Sequence, residues 1–218
     1  VESVVSTIQV GGWSIDTGTR ISCELSIVDP ADESTYKYLT IVGPFKSVDE
    51  GDQSYRASGW IHVAMTFNGR RLELYVNGRS ETGRGTEDVD SEADDTPIRY
   101  ASGDQDTDIL IGANPGNLVG AVSGTASAGA NFNGKIDEVA IWDKALDIDA
   151  VREMYEAVEV DGDPLDLTED RGNYDYSDDL VGYWKMEEGT GTTVEDSSDN
   201  SNTGTLKNSP RWSITTPS

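Results

Sequence analysis

Apolar and polar residues alternate most regularly between residues 60 and 76. In the first half of this stretch every second position is apolar, at Ile61, Val63, Met65 and Phe67. The alternation returns in the second half, at Leu72, Leu74 and Val76. An Asn-Gly pair, the preferred tight hairpin turn, separates the halves at Asn68-Gly69, and a second pair, Asn77-Gly78, ends the stretch. The pattern predicts an antiparallel hairpin with one buried face.

Short strands are also predicted elsewhere along the chain, separated by frequent turn residues. They fall at residues 6–10, 20–28, 36–42, 108–113, 135–142, 180–186 and 203–206. One helix is predicted after Asp147, a suitable N-cap, because the apolar residues Ile148, Val151, Met154 and Tyr155 follow at spacings of three and four. These elements predict an all-β sandwich with one short helix.

Three stretches in one order resemble a known family. They are SGWIHVAMTFNGRRLELYVNG (58–78), TDILIGANPG (107–116) and FNGKIDEVAIWDKALDIDAVREMYE (132–156). The chain resembles the laminin G-like, concanavalin A-like jelly-roll modules, most clearly over residues 58–156 and poorly over the N-terminal third. The resemblance implies a two-sheet antiparallel jelly roll.

The segment 180–212 resembles the opening of such a module, although here it comes last. One interpretation is a single circularly permuted domain over 1–218, in which 157–179 is an acidic connector and 180–212 supplies the opening strands. The alternatives are a second module cut short, or strands that complete a neighbouring subunit. Permutation is favoured because a lone pair of strands cannot bury its apolar face. The terminal strands of such a fold are also neighbours, so relocating them changes little.

Charge restricts the partners. The chain has 41 Asp and Glu against 16 Lys and Arg, a net charge of −25. This excludes a nucleic-acid binder that works by neutralising phosphates, and it disfavours an anionic membrane surface. No apolar run is long enough to insert into a membrane. The single cysteine, Cys23, allows no intramolecular disulfide and reads as a small core residue.

Oxygen-bearing side chains are concentrated in the turn at 196–204. Asp196, Asn200 and Asn202 supply the ligand types that calcium takes, although the spacing is not that of an EF-hand. The alternative is an Asx-rich turn that hydrogen-bonds its own backbone. The resemblance implies a calcium near the opening turn and the closing strand of the module, where Asp137 matches.

The closing strand carries two adjacent carboxylates, Asp137 and Glu138, and both of its faces look mostly buried. At least one carboxylate therefore needs compensation, either by a cation or by hydrogen-bond donors such as an Arg. The predicted structural calcium site contains Asp137, Asp196, Asn200 and Asn202. Glu138 and Glu187 are weaker candidates.

Catalytic motifs point away from an enzyme. His62 is the only histidine, which excludes His-Glu-x-x-His hydrolases, and Gly-x-Ser-x-Gly is absent. The Glu-x-Asp-x-x-Glu spacing of some glycoside hydrolases on this fold does not occur. The sequence predicts a non-catalytic module at a cell or virion surface, or otherwise extracellular, that binds a glycan or a protein. The rival is a structural assembly subunit, such as a virion decoration, fibre or filament protein, and a homo-oligomer is compatible with either. A glycan site is not located: Trp60, Trp142 and Trp184 are expected in the core. The surroundings of Trp13 and Trp212 are compatible with exposure, although core or edge packing is favoured for both.

Overall fold

The computed structural model describes the backbone of three N-terminal strands and the segments 60–81 and 135–213, together with residues 109, 111 and 112. The N-terminal strands are β1 (Thr7–Gly11), β2 (Arg20–Asp29) and β3 (Asp32–Gly43). They form an antiparallel sheet in the order β1-β2-β3. The strands predicted at 6–10, 20–28 and 36–42 are therefore present, and β3 begins four residues earlier than the prediction, at Asp32.

The predicted hairpin is present as β4 (Val63–Phe67) and β5 (Leu72–Val76), and β6 (Arg79–Glu81) pairs with β5. Phe67 faces Leu72 across the first turn. In the second turn, Asn77 and Gly78 both have positive φ, 50° and 68°, as a type I′ turn requires.

The hairpin is buried on both faces, whereas the alternation predicts one buried face. Leu72 and Leu74 are fully buried, but so is Tyr75, which points to the opposite side. The reason is that the helix and the segment after it cover that second side, so Tyr75 belongs to their core cluster. The predicted alternation counts aliphatic side chains as buried. It therefore did not predict the second buried face, which carries the phenol ring of Tyr75.

The helix α1 (Ile148–Glu156) begins at the predicted N-cap, where Asp147 accepts a hydrogen bond from the backbone N–H of Ala150 at 2.8 Å. A π-helical turn (Ala157–Asp161) follows it directly. Ala150, Val151 and Met154 of α1 are buried. The helix thus presents one apolar face, as its spacing predicts.

The acidic stretch between α1 and the last strands contributes to the core as well as connecting the two. Its acids lie mostly outside, while Leu165, Leu167 and Tyr174 are buried against α1. Tyr174 is completely buried. A 3-10 turn (Ser177–Asp179) then leads into the next strand.

The C-terminal region pairs with the middle of the chain. β7 (Val139–Trp142) and β8 (Leu180–Trp184) are antiparallel, and Val139 faces Trp184 while Trp142 faces Leu180. Two further short strands, β9 (Thr193–Val194) and β10 (Gly204–Thr205), pair with each other. Residues 180–184 therefore pair within the same chain.

Three predicted strands differ from the structure. The strand predicted at 180–186 ends at Trp184, and Met186 has a φ of 59°. The strand predicted at 135–142 begins only at Val139, because Glu138 has a φ of 53°, which interrupts the extended backbone. Ile111 and Gly112 form a bend, so the strand predicted at 108–113 is not present at those two residues. The described segments are otherwise mostly strands, with α1 as their one α-helix.

Candidate functional site

The carboxylate of Asp196 organises the loop that precedes β10. Its Oδ1 accepts the backbone N–H groups of Tyr183 at 2.8 Å and Ser198 at 2.9 Å, and its Oδ2 accepts that of Asn202 at 2.7 Å. Burial by itself would raise the pKa of Asp196. The three N–H donors outweigh it and hold the pKa below its usual range.

The other polar side chains of this loop bind the outer edge of β8. The side-chain amide of Asn200 donates to the carbonyl of Leu180 at 3.0 Å. The carbonyl of Val181 accepts the side-chain amide of Asn202 at 2.8 Å and the hydroxyl of Ser198 at 3.2 Å. The backbone N–H of Ser197 donates to the carbonyl of Tyr183 at 2.7 Å.

We name residues 196–202 the edge strap, because they occupy the place of a strand beside β8. β7 lies on one side of β8, and the edge strap supplies hydrogen-bond partners on the other side. The indole N–H of Trp184, the last residue of β8, donates to the carbonyl of Asn202, the last residue of the edge strap, at 2.8 Å. The loop thus has the self-bonded character of the Asx-rich turn considered for it, with its bonds directed to a strand as well as to itself.

Three of the four predicted calcium ligands are brought together in the edge strap, and the fourth, Asp137, is not part of it. Asp137 precedes β7, and the acidic residues that interact with it electrostatically are Glu138 and Glu187. In the segments that the structure describes, no three His, Cys, Asp or Glu side chains are grouped so that they could hold a metal ion. A calcium shared by Asp137 and Asp196 stays a prediction.

Glu138 receives the compensation that its burial requires from a tyrosine. The hydroxyl of Tyr183 donates to the Glu138 carboxylate, and it also lies 3.4 Å from the carbonyl oxygen of Leu165. Desolvation raises the pKa of Glu138 to about 7, and the charges of Asp137 and Glu187 add to the rise while the Tyr183 hydrogen bond opposes it. The donor is a neutral hydroxyl and not the Arg considered from the sequence.

Asp137 is less buried than its neighbour. Desolvation raises the pKa of Asp137 above its usual range, and the negative charge of Glu187 raises it further. A hydrogen bond from the backbone N–H of Glu138 opposes this rise. Two carboxyl groups with raised pKa values therefore sit side by side at the start of β7. Such a pair favours any nearby cation, because a cation would stabilise both ionised forms.

A second tyrosine joins β7 to the acidic stretch. The indole N–H of Trp142 donates to the hydroxyl of Tyr174 at 2.9 Å, and that hydroxyl donates to the carbonyl of Leu167 at 3.0 Å. Sequence reasoning missed Tyr174 and Tyr183 because it treated the tyrosines as apolar surface. Their position next to buried aliphatic residues is the signal that a hydroxyl partner is needed.

The tryptophans are mostly packed. Trp184 is buried, as expected, while Trp60 and Trp142 are half-buried. Trp212, for which core or edge packing is favoured from the sequence, is half-buried, and its indole N–H donates to the carbonyl of Gly191 at 3.1 Å. Trp13 lies outside the described residues.

His62 lies between the β4–β5 hairpin and α1. Its ring centroid is 6.2 Å from that of Tyr155, and its Nδ1 atom is buried without a hydrogen-bond partner among the described residues. Burial lowers the pKa of His62 to about 4, so the ring is neutral near neutral pH. The histidine thus packs as an uncharged ring against the helix.

Comparison with known proteins gives the family. Residues 31–152 match a family model described as the concanavalin A-like lectin/glucanases superfamily, in its laminin G form. The match covers more than half of the chain, and the chain belongs to this family. No curated protein and no solved structure matches the chain. None of the helices in the described segments has the length and hydropathy to cross a membrane.

Proposed function

We propose that the protein is a non-catalytic surface module that binds a glycan or a protein and carries a structural calcium ion. Membership of the concanavalin A-like lectin family, over residues 31–152, is the observation that carries this proposal. The architecture proposed with it is a two-sheet jelly roll in which 180–212 supplies the opening strands. The pairing of β7 with β8 in one chain supports a single permuted domain. We place the module outside the cell, on a cell surface or on a virion.

The calcium proposal rests on where the candidate ligands are attached. Val139 faces Trp184 at one end of the β7–β8 pair, and Asp137 precedes β7 at that end. Asp196 binds Tyr183, the neighbour of Trp184, so both carboxylates attach to the same end of the strand pair. A net charge of −25 attracts divalent cations to the whole surface.

Thermal melting tests calcium separately from ligand binding. Melting is recorded with calcium, with chelator, and with monovalent salt at matched ionic strength. A specific ion at 100 times its dissociation constant stabilises the fold by about 2.7 kcal/mol. We expect Asp137→Asn to lose this shift and the matched control Asp199→Asn, an exposed acid in the edge strap, to keep it. Equal melting temperatures in all three solutions would contradict a specific calcium site, and cations would then act only by diffuse screening of the negative charge.

A glycan array, probed with and without chelator, tests the binding role. We expect the wild-type chain to retain a defined set of glycans or, failing that, a protein ligand on a parallel protein array. Binding to neither array would contradict a binding module. A carboxyl with raised pKa, such as Glu138, is also what a general acid requires. The same glycans are therefore assayed for hydrolysis, which we expect to be absent.

The alternative function, a structural assembly subunit, is favoured by one apolar patch. Ile109, Ile111 and Ile136 are 46%, 39% and 37% exposed. A Cβ at Gly112 would lie 2.9 Å from the Cδ1 atom of Ile136, so residues 111–112 and Ile136 are adjacent. Sedimentation of the Ile136→Ser variant tests this patch: assembly through it predicts that the variant dissociates.

A further inference from the structure

The outer edge of β8 has the properties of a strand that pairs readily with another strand. The segment Leu180–Trp184 contains no charged residue and no proline, and it is rich in residues that favour strands. Such an edge is a template for pairing with another chain unless something covers it. The bonds described above show that the edge strap covers it.

The edge strap covers β8 mostly through side chains. Of its bonds to the strand, only the one from Ser197 to Tyr183 joins two backbones. Four others use the side chains of Asp196, Ser198, Asn200 and Asn202, and one uses the indole of Trp184. A single side-chain change can therefore weaken the strap, while the β7–β8 ladder on the other side of β8 stays intact.

The backbone groups of β8 that point away from β7 can pair with the same groups of a second copy. Val181 and Tyr183 direct their bonds outward, and Gly182 lies between them. Two copies paired antiparallel about Gly182 place Val181 of one copy opposite Tyr183 of the other, so their outward groups can bond to each other. Asp179 and Lys185 directly flank β8, so this register brings Asp179 of one copy and Lys185 of the other to the same end of the strand pair.

The charges favour this register. Lys185 lies 3.2 Å from Asp166, and Lys144 lies 3.2 Å from Asp179, as surface pairs within the chain. Such exposed pairs are weak and exchange partners easily. Opposite charges facing each other across two strands add to the pairing.

We propose that the edge strap is an autoinhibitory segment that keeps β8 from pairing with β8 of a second copy of this chain. The strap satisfies the same backbone groups that the second copy would use. Release of the strap therefore exposes an edge for an antiparallel, two-fold symmetric dimer. This inference does not depend on the ligand of the module or on calcium.

The test compares Asp196→Ala with the control Asp199→Ala, in the presence of chelator so that no ion contributes. Asp199 is exposed in the same segment, and none of the bonds to β8 uses its side chain. Removing a charged intramolecular competitor raises the association constant by about tenfold to a hundredfold. We expect this rise in sedimentation equilibrium for Asp196→Ala only.

Hydrogen exchange at the Tyr183 amide identifies the surface used. In Asp196→Ala this amide should exchange rapidly in dilute solution and become protected as the concentration rises. Rapid exchange at every concentration, with unchanged association, would overturn the proposal. If Asp196→Ala does not fold, as shown by loss of the near-ultraviolet signal of its tryptophans, Asn202→Ala, which frees the carbonyl of Val181 from its amide donor, decides by its association constant in sedimentation equilibrium.

The register has its own test. Adding Lys185→Glu to the strap variant places two acids opposite each other in the dimer, and we expect association to fall by roughly two- to fivefold. A further Asp179→Lys change restores opposite charges and should recover the loss. An association constant that neither substitution changes would contradict pairing about Gly182.

Discussion

The β4–β5 hairpin and the β7–β8 pair are both antiparallel, yet they are completed in different ways. The hairpin is closed locally: a short turn joins its strands, and Asn68 Oδ1 accepts the backbone N–H groups of Arg70 at 3.0 Å and Arg71 at 2.8 Å. The β7–β8 pair is closed by residues distant in sequence, since its strands are separated by α1 and the acidic stretch. Local closure depends on turn chemistry, whereas distant closure depends on polar side chains that reach a strand edge.

The two regions also contain buried titratable groups of opposite kinds. His62 beside the hairpin has a lowered pKa, and Glu138 beside β8 has a raised pKa. Burial favours the neutral form of each group. The two contacts should therefore respond to pH in opposite directions, which gives a way to separate them.

The largest expected effect is in the hairpin core. Leu74 is fully buried, so Leu74→Ala removes apolar contacts and leaves a cavity. Such changes cost about 2–5 kcal/mol of unfolding free energy. Urea denaturation should show a lower midpoint with an unchanged slope. A loss below about 1 kcal/mol would mean that the hairpin's buried face collapses around the missing atoms.

Acid should weaken the contact between the hairpin and α1. The pKa of His62 is about 4 in the folded chain against an ordinary value of 6.5. The unfolded chain binds the proton first, so stability is lost as the pH falls from about 6.5 to 4, by up to about 3 kcal/mol. Measuring unfolding free energy against pH for wild type and His62→Phe checks this. The variant should lose that part of the slope.

Rising pH should lower the stability of the folded chain at Glu138, because its ionised carboxylate is desolvated there. Because the folded pKa of Glu138 is about 7 and its ordinary value is 4.5, the unfolded chain releases the proton first. Stability is fully present below about pH 4.5 and is lost as the pH rises through 7. In Glu138→Gln the unfolding free energy should depend less on pH in this region. Its fall between about pH 6.5 and 4, which depends on His62, should not change. A single variant that removed both limbs would contradict the separation of the two regions.

Overpacking beside the edge strap should have a moderate effect. A Cβ at Gly182 would lie 2.6 Å from the Trp184 ring, so Gly182→Ala forces the indole to move. Overpacking costs about 1–3 kcal/mol, and the bond from Trp184 to Asn202 should weaken with it. The matched control is Gly204→Ala, whose Cβ would meet Val194 at an ordinary 3.7 Å. Tryptophan fluorescence should shift for Gly182→Ala only.

The smallest expected effect is in the hairpin turn. Asn68→Ala removes the acceptor for the two backbone N–H groups, but Asn68 is exposed, so water replaces it. The cost should be about 0.5–1 kcal/mol in thermal melting. A cost as large as that of Leu74→Ala would show that turn chemistry, and not burial, holds the hairpin.

What could be predicted from the sequence follows the same division. The β4–β5 pairing, the Asn77-Gly78 turn and the Asp147 cap depend on neighbours in sequence, and each was predicted at the right residues. The first turn differs, because Asn68 pairs with Arg71 and the turn is centred one residue later than predicted. The bonds of Asp196 and Asn202 to β8 and the pairing of Glu138 with Tyr183 depend on distant residues. Composition showed that these groups were polar and clustered, but one sequence does not state which backbone atoms they meet. The oxygen-rich turn therefore suggested a cation, where the structure directs much of its bonding capacity to a strand.

The placement of Tyr75 and Tyr183 in one core cluster has a consequence for biosynthesis. The hairpin leaves the ribosome long before β8 is made, and the core cluster on its Tyr75 side stays incomplete until Tyr174, Leu180 and Tyr183 emerge. At ordinary elongation rates of about 5–20 residues per second, that interval lasts roughly 5–20 seconds. During it, the Tyr75 side of the hairpin is open to chaperones. A nascent chain arrested before residue 174 should therefore remain protease-sensitive at the hairpin, and one released after residue 213 should not.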